Sequence, residues 1–147
     1  MPAHQVQYIG PSLASRDITT ADYRWLYDYL STRPGYVNIS HTVMPSYGNH
    51  TKYWDYVRRH WECGIVCQDG HATLAPVGYW YISDSDEIGI HCKYLTHVAP
   101  VLRWILKSHP GRRLLMNVAV RNYHHKRMAR THGGKRIQET YVWTATR

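Results

Sequence analysis

Three groups of residues in this chain have types and spacings that could do chemistry. Glu87 and His91 lie four apart in a stretch with strand character, so they share a face. An imidazole titrating near neutrality suits a general base, although a strand histidine also serves plain structure. His124 and His125 are adjacent, and adjacent side chains on a helix diverge, which makes a poor metal site. Cys63 and Cys67 are four apart and Cys92 follows His91, so a zinc site can be drawn. Cys63, Ile65 and Cys67 would also share one strand face, and free cysteine packs as a small apolar residue. The expectation is core cysteines in a reducing compartment, with no metal and no disulfide framework.

The third group is cationic. Arg121, Lys126, Arg127, Arg130, Lys135 and Arg136 crowd the last third, with Arg112 and Arg113 just before it. Lys126 and Arg130 are i, i+4 and would form one ridge. The whole chain carries +8, from 18 Lys and Arg against 10 Asp and Glu. Such a surface suits solvent, an acidic protein, nucleic acid or a phosphate group. No helix-turn-helix, zinc-finger or RNA-binding signature accompanies it. Phe is absent while Tyr reaches 13 and Trp 6, which fits a core whose polar tips also serve a contact surface.

The elements that must position these groups follow from periodicity. Val6 to Ile9 reads as a strand ended by Gly10-Pro11. A helix starts at Thr19 or Thr20, with Thr19 and Asp22 as a capping pair. Its apolar face is Tyr23, Leu26, Tyr27 and Leu30, and Pro34-Gly35 stops it. After a mixed loop over 36–48, Asn49 would cap a second helix with the stripe Trp54, Val57 and Trp61, ended by Gly64. Strands follow at Ile65 to Cys67, Val77 to Ile82 and Glu87 to Tyr94, with turns at Gln68-Asp69-Gly70 and Ser83 to Asp86. Thr96 or His97 would cap a third helix, whose stripe is Val98, Val101, Leu102, Ile105 and Leu106. Leu114 to Val120 reads as a central strand covered on both faces. Then come a short basic helix, Tyr123 to His132, a left-handed cap at Gly133, and a last strand within 135–146.

At 147 residues this makes one domain, 1–147. No apolar run approaches the ~20 residues of a membrane span. Met1 to Gln5 lacks the basic start of a signal peptide, so secretion by that route is not expected, and the sequons at Asn38 and Asn49 read as chance. A meander followed by crossovers gives an α/β, α+β mixed fold: a central mixed six-stranded sheet with four helices on both faces.

That element order resembles the GNAT acetyltransferase fold over nearly the whole chain. The local match is Val118-Ala119-Val120-Arg121-Asn122, the helix Tyr123 to His132, and Gly133-Gly134. The closing pattern of Asn122, His125, Arg127, Met128, Arg130, Thr131 and Gly133 is also similar to small GNAT-like internal virion or morphogenesis proteins of short-tailed phages. The first resemblance implies acetyl-CoA, held by a glycine-bearing loop that opens the third helix. Here that stretch, His91 to Pro100, contains no glycine, and Pro100 removes an N–H donor. Where many such enzymes place a proton-donating Tyr stands Ala129. Asn122 is either a helix cap or a cofactor contact, and Lys93 and His97 could offer charge.

Two expectations follow from the resemblance. The leading one is a non-catalytic phage virion or assembly protein without cofactor. It would bind other virion proteins, or an acidic protein or nucleic-acid surface, in the virion or host cytoplasm. The alternative is an acyl-CoA-dependent N-acetyltransferase with an atypical cofactor loop. It would use Glu87 and His91 in catalysis and Asn122, Lys93 and His97 for the cofactor. A third is a basic nucleic-acid accessory protein.

Overall fold

Hydrophobic alternation along the strands divides the interior into two cores, one on each face of a single sheet. The computed structural model describes residues 5–34, 43–68 and 75–144. Its sheet runs β1 (Gln7–Gly10), β2 (Leu13–Arg16), β3 (Glu62–Gln68), β4 (Ala75–Ile82) and β5 (Ile88–Cys92), each antiparallel to the next. The helices are α1 (Tyr23–Thr32), α2 (Tyr47–His60), α3 (Val98–Ser108) and α4 (Tyr123–Thr131). Ile65, Cys67 and Tyr79 point to α1 and α2, where they pack on Leu26, Tyr29, Trp54 and Val57. Their neighbours Val66, Trp80 and Ile82, with Ile88 and Ile90, turn to the other face, against α3 and Met128 of α4.

Local chemistry explains the joints. Asp22 accepts from Thr19 N–H (2.8 Å), and Arg16 grips both its carboxylate oxygens at 2.7 and 2.9 Å. This ties β2 to the entry of α1. Burial alone would favour the protonated acid, but Arg16 and the Thr19 bonds outweigh it and hold the Asp22 carboxyl below the ordinary range. Pro76 lies in an interior strand that would normally exclude it. It is tolerated where the β3–β4 register slips, with Val66 facing Gly78 and Cys67 facing Pro76. Gly133 takes φ +84° and closes α4, as its position in the sequence suggests.

Several expected boundaries move. Ser46, not Asn49, caps α2, its side chain accepting from the Asn49 N–H at 3.2 Å. That helix ends at His60, and Gly64 lies inside β3, where any Cβ would meet Ser15 Oγ and Trp80 Nε1 at under 3 Å. Leu13–Arg16 is a strand that periodicity missed. It is four residues long, has no β-branched residue, and is defined by its partners β1 and β3. A short 3-10 turn, Leu95–His97, precedes α3, so neither Thr96 nor His97 supplies a side-chain cap. Residues 35–42 and 69–74, including Gly35 and the expected Asp69-Gly70 turn, lie outside the described residues.

The largest difference concerns the sheet. It has five antiparallel strands among the described residues, not six in a mixed arrangement. Leu114 to Val120 is extended but joins the sheet through one parallel bridge, Glu87 to Leu115. It is not covered on both faces, since Val120 is 76% exposed. Over 135–144 no strand pairing occurs, and Trp143 stays 82% exposed. An apolar run marks a segment that wants a neighbour, but hydrogen-bonded pairing decides whether it becomes a ladder.

Trp80 Nε1–H donates to the buried Ser15 Oγ at 2.8 Å, joining β4 to β2 across β3. Ser15→Ala should cost about 1–3 kcal/mol, the usual penalty for stranding a buried donor, read as a lower midpoint in urea denaturation.

Candidate functional site

The bridge at Glu87 and Leu115 is the vertex of a V. Ile88 N–H donates to the Leu115 carbonyl (2.7 Å), and Leu115 N–H donates to the Asp86 carbonyl (2.9 Å). Beyond these bonds β5 and the segment 115–122 part. Peptide groups alternate sides along a strand, and those of Gly89 and His91 pair with Tyr81 and Tyr79 of β4. The peptide groups of Ile90 and Cys92 therefore face the gap. The Ile90 carbonyl there accepts from His125 Nε2–H at 3.1 Å.

The gap opens into a cavity of about 610 Å³. Ile88 to His91 and Glu87 line one side, and Met116, Asn117, Ala119, Asn122 and His125 the other. Tyr53, Trp61, Tyr79, Tyr81 and Arg33 complete the wall beneath α1 and α2. Tyr94 is 55% exposed and Arg121 is exposed too, so neither fills the slot, whereas Met116 and His125 reach it. Gly89 keeps this wall in place: a Cβ there would lie 2.2 Å from the Tyr81 ring.

Glu87, His91 and Asn122, singled out in the sequence, thus converge on one slot, whereas Lys93 and His97 do not line it. Glu87 and His91 are not a pair. Four strand residues set them roughly 13 Å apart, so they serve different ends of the cavity. His91 stacks at a tilt on Tyr79 (4.9 Å), whose hydroxyl accepts from Arg33 at 2.6 Å. Desolvation first, then the charge of Arg33 and the nearness of His125, pushes the His91 imidazole well below its ordinary value. Burial likewise lowers His125, against the Ile90 bond, which favours its protonated form. Both rings are therefore neutral at physiological pH. The bond to the Ile90 carbonyl requires the Nε2–H tautomer of His125, which leaves Nδ1 as the acceptor.

Asn122 caps α4, its side chain accepting from His125 N–H at 3.2 Å. The cap and the slot contact are thus one residue. From the sequence His125 was read beside His124 as a poor metal site and as part of the closing pattern after Asn122. Its i+3 spacing from a strand-ending Asn was the available signal. The cysteines offer no nucleophile here: burial pushes Cys63 up to about 11 and Cys92 up to about 12. Among the described residues no cluster of three or more His, Cys, Asp or Glu is placed to hold a metal.

The entrance toward α3 has a different character. His97 N–H donates to the Tyr94 carbonyl (3.0 Å), and Val98 N–H to that of Leu95, so the 3-10 turn consumes these donors. Pro100 has none. Lys93 lies back over the Trp25 ring at 5.9 Å. The helix start is not a glycine-lined diphosphate cradle. The basic residues lie elsewhere. Arg121, Arg127, Arg130, Lys135 and Arg136 are exposed, Arg136 pairs with Glu139 (3.0 Å), and Lys126 turns back to the Val120 carbonyl.

No protein-family model matches this chain, and no curated protein sequence does. Solved structures do. A domain from Methanocaldococcus jannaschii superposes with TM-score 0.71 at 19% identity, over 87% of this chain and 91% of that one. A microcin self-immunity acetyltransferase, solved with acetyl-CoA and AMP, gives 0.64 at 8% identity over 90% and 83%. A ribosomal-protein alpha-N-acetyltransferase, solved with coenzyme A, gives 0.64 at 10% identity over 88% and 83%. At these identities the likeness establishes the fold, which is that of the GNAT acetyltransferases.

The leading expectation from sequence, a non-catalytic virion protein, is corrected. Several structures that share this fold over most of the chain are acetyltransferases, and none of these points to a phage. The reasons for doubting catalysis were a glycine-free loop and Ala129. Both are local, and neither closes the slot.

The depressed histidines carry a stability signature. In the unfolded chain they take up protons near 6.5, and in the folded chain only at lower pH. Their contribution is complete above that value and is lost as pH falls below it. The urea midpoint should therefore drop between pH 7.5 and 5.5, and His91→Asn should flatten the drop.

Proposed function

We propose that the protein is an acyl-CoA-dependent N-acetyltransferase. The observation that carries this reading is the open slot between β5 and residues 115–122, with a neutral His91 on its wall. When bound, acetyl-CoA supplies an acyl group activated as a thioester.

The chain's own residues do the rest. Beyond the bridge the outward peptide groups of Ile90 and Cys92 form a strand edge to which an extended amide-bearing arm can add, the Ile90 carbonyl already accepting from His125. His125 fixes the Ile90 carbonyl on that edge, and Asn122 fixes His125 by capping its helix. His91 accepts the proton that an amine acceptor sheds as its nitrogen bonds to the acyl carbon and the thioester C–S bond breaks, and the imidazolium can return that proton to the departing thiolate. A neutral imidazole in a desolvated wall is in the right state for this without prior deprotonation. Because Ala129 has no proton to give, no second acid on α4 is assigned.

Saturating acetyl-CoA should raise the melting temperature, since a ligand that binds only the folded state stabilises it. Ala119→Trp, which plugs the slot, should abolish that shift and leave the unliganded melting temperature within a few degrees. No shift for the native chain overturns the proposal. With an acceptor amine present, His91→Ala should lower kcat by about 10²–10⁴-fold with little change in KM for acetyl-CoA.

A further inference from the structure

We infer that the open end of the slot is a docking face for an acidic carrier protein, which delivers the acyl group on a phosphopantetheine arm. The inference rests on the acetyltransferase reading and names what carries the thioester. Coenzyme A ends in the same arm, so the slot itself admits either. The two donors differ in what stays outside: a nucleotide diphosphate on one, a single phosphodiester and a folded protein on the other.

The lips of the slot favour the second. The bridge between Glu87 and Leu115 is parallel, so β5 and residues 115–122 run the same way and both emerge at the open end. One lip is the chain leaving β5, and the other is the chain entering α4. The first lip makes no diphosphate site. It has no glycine from His91 to Pro100, and its 3-10 turn consumes the N–H groups of His97 and Val98. Both lips instead carry exposed apolar side chains, Tyr94 and Leu95 on one, Val120 and Tyr123 on the other. Such side chains around a mouth suit a protein face that covers them better than a solvated diphosphate.

Charge gives the sign of that protein. Residues 88–138 comprise β5, α3, the facing segment and α4. They hold 11 of the chain's 18 Lys and Arg and none of its 10 Asp and Glu. Tyr123, Arg127 and Arg130 follow at i, i+4, i+7, so the apolar lip continues into a cationic row along α4. Both arginines are exposed. Arg103 of α3, also exposed, meets His132 at 3.2 Å and carries the positive surface across to the neighbouring helix. An apolar patch beside a cationic row complements an acidic protein. A nucleic acid would meet the same cations but brings no arm for the slot.

The test is isothermal titration of the native chain with three probes. They are the holo carrier protein of a type II fatty-acid synthase, its apo form without the arm, and coenzyme A. The holo carrier should bind about tenfold more tightly than either of the others, since it alone engages both slot and surface. Arg127→Glu combined with Arg130→Glu should weaken the holo carrier about tenfold and leave coenzyme A unchanged. Ala119→Trp should weaken both, because the arm no longer enters. Coenzyme A binding as tightly as the holo carrier, an apo form binding as well as the holo form, or a charge reversal without effect overturns the carrier. So does a duplex oligonucleotide that binds the same arginines more tightly than the holo carrier. A chain that acetyl-CoA stabilises but that shows no preference for the holo carrier loses the carrier alone, whereas a chain that binds neither form of the arm loses the enzyme reading as well.

Discussion

One parallel bridge, between Glu87 and Leu115, governs the functional half of this molecule. Two backbone hydrogen bonds hold it, and past them the two chains separate. Had the pairing continued, the peptide groups of Ile90 and Cys92 would be satisfied within the sheet and no slot would exist. The bridge is braced from outside. Arg112 reaches both Glu62 and Asp86, and His109 reaches Glu62 from the end of α3. These are exposed contacts of modest individual worth. They converge on the turn that carries the vertex, so their value lies in fixing where the strands begin to part.

The sheet has its own internal logic, and the slot borrows from it. Tyr79, Tyr81 and His91 belong to one face of adjacent strands, so the wall beneath α1 and α2 is an extension of the core. That explains why the site is rich in aromatics and poor in charge. It also explains why its histidines are neutral, since the same burial that stabilises the rings penalises their protonation. Apart from Arg33, the cations that dominate the composition lie outside this wall, many of them on α4 and the segment after it.

Much of this was legible in the residues. The stripes of α1, α2 and α3, the turn at Ser83 to Asp86 and the cap at Gly133 all follow from spacing. The errors have specific physical causes. Leu13–Arg16 has no intrinsic strand preference and is a strand because β1 and β3 flank it. Leu114 to Val120 has strong strand preference and lacks a ladder because its neighbours diverge. The part His125 plays in the slot was not read from the sequence, because it depends on the Ile90 carbonyl 35 residues earlier.

The sequence by itself determined the four helices and the central meander, and with them the GNAT-like fold, because helical and strand periodicities are local properties. It also determined which groups were absent, a glycine loop and a proton donor at Ala129. It did not determine what those absences meant. Only the tertiary structure decided that the slot is open and that Glu87 and His91 serve opposite ends of it. Openness and convergence are relations between chain segments far apart in sequence. They depend on where backbone hydrogen bonding stops, and no local pattern of residues records that.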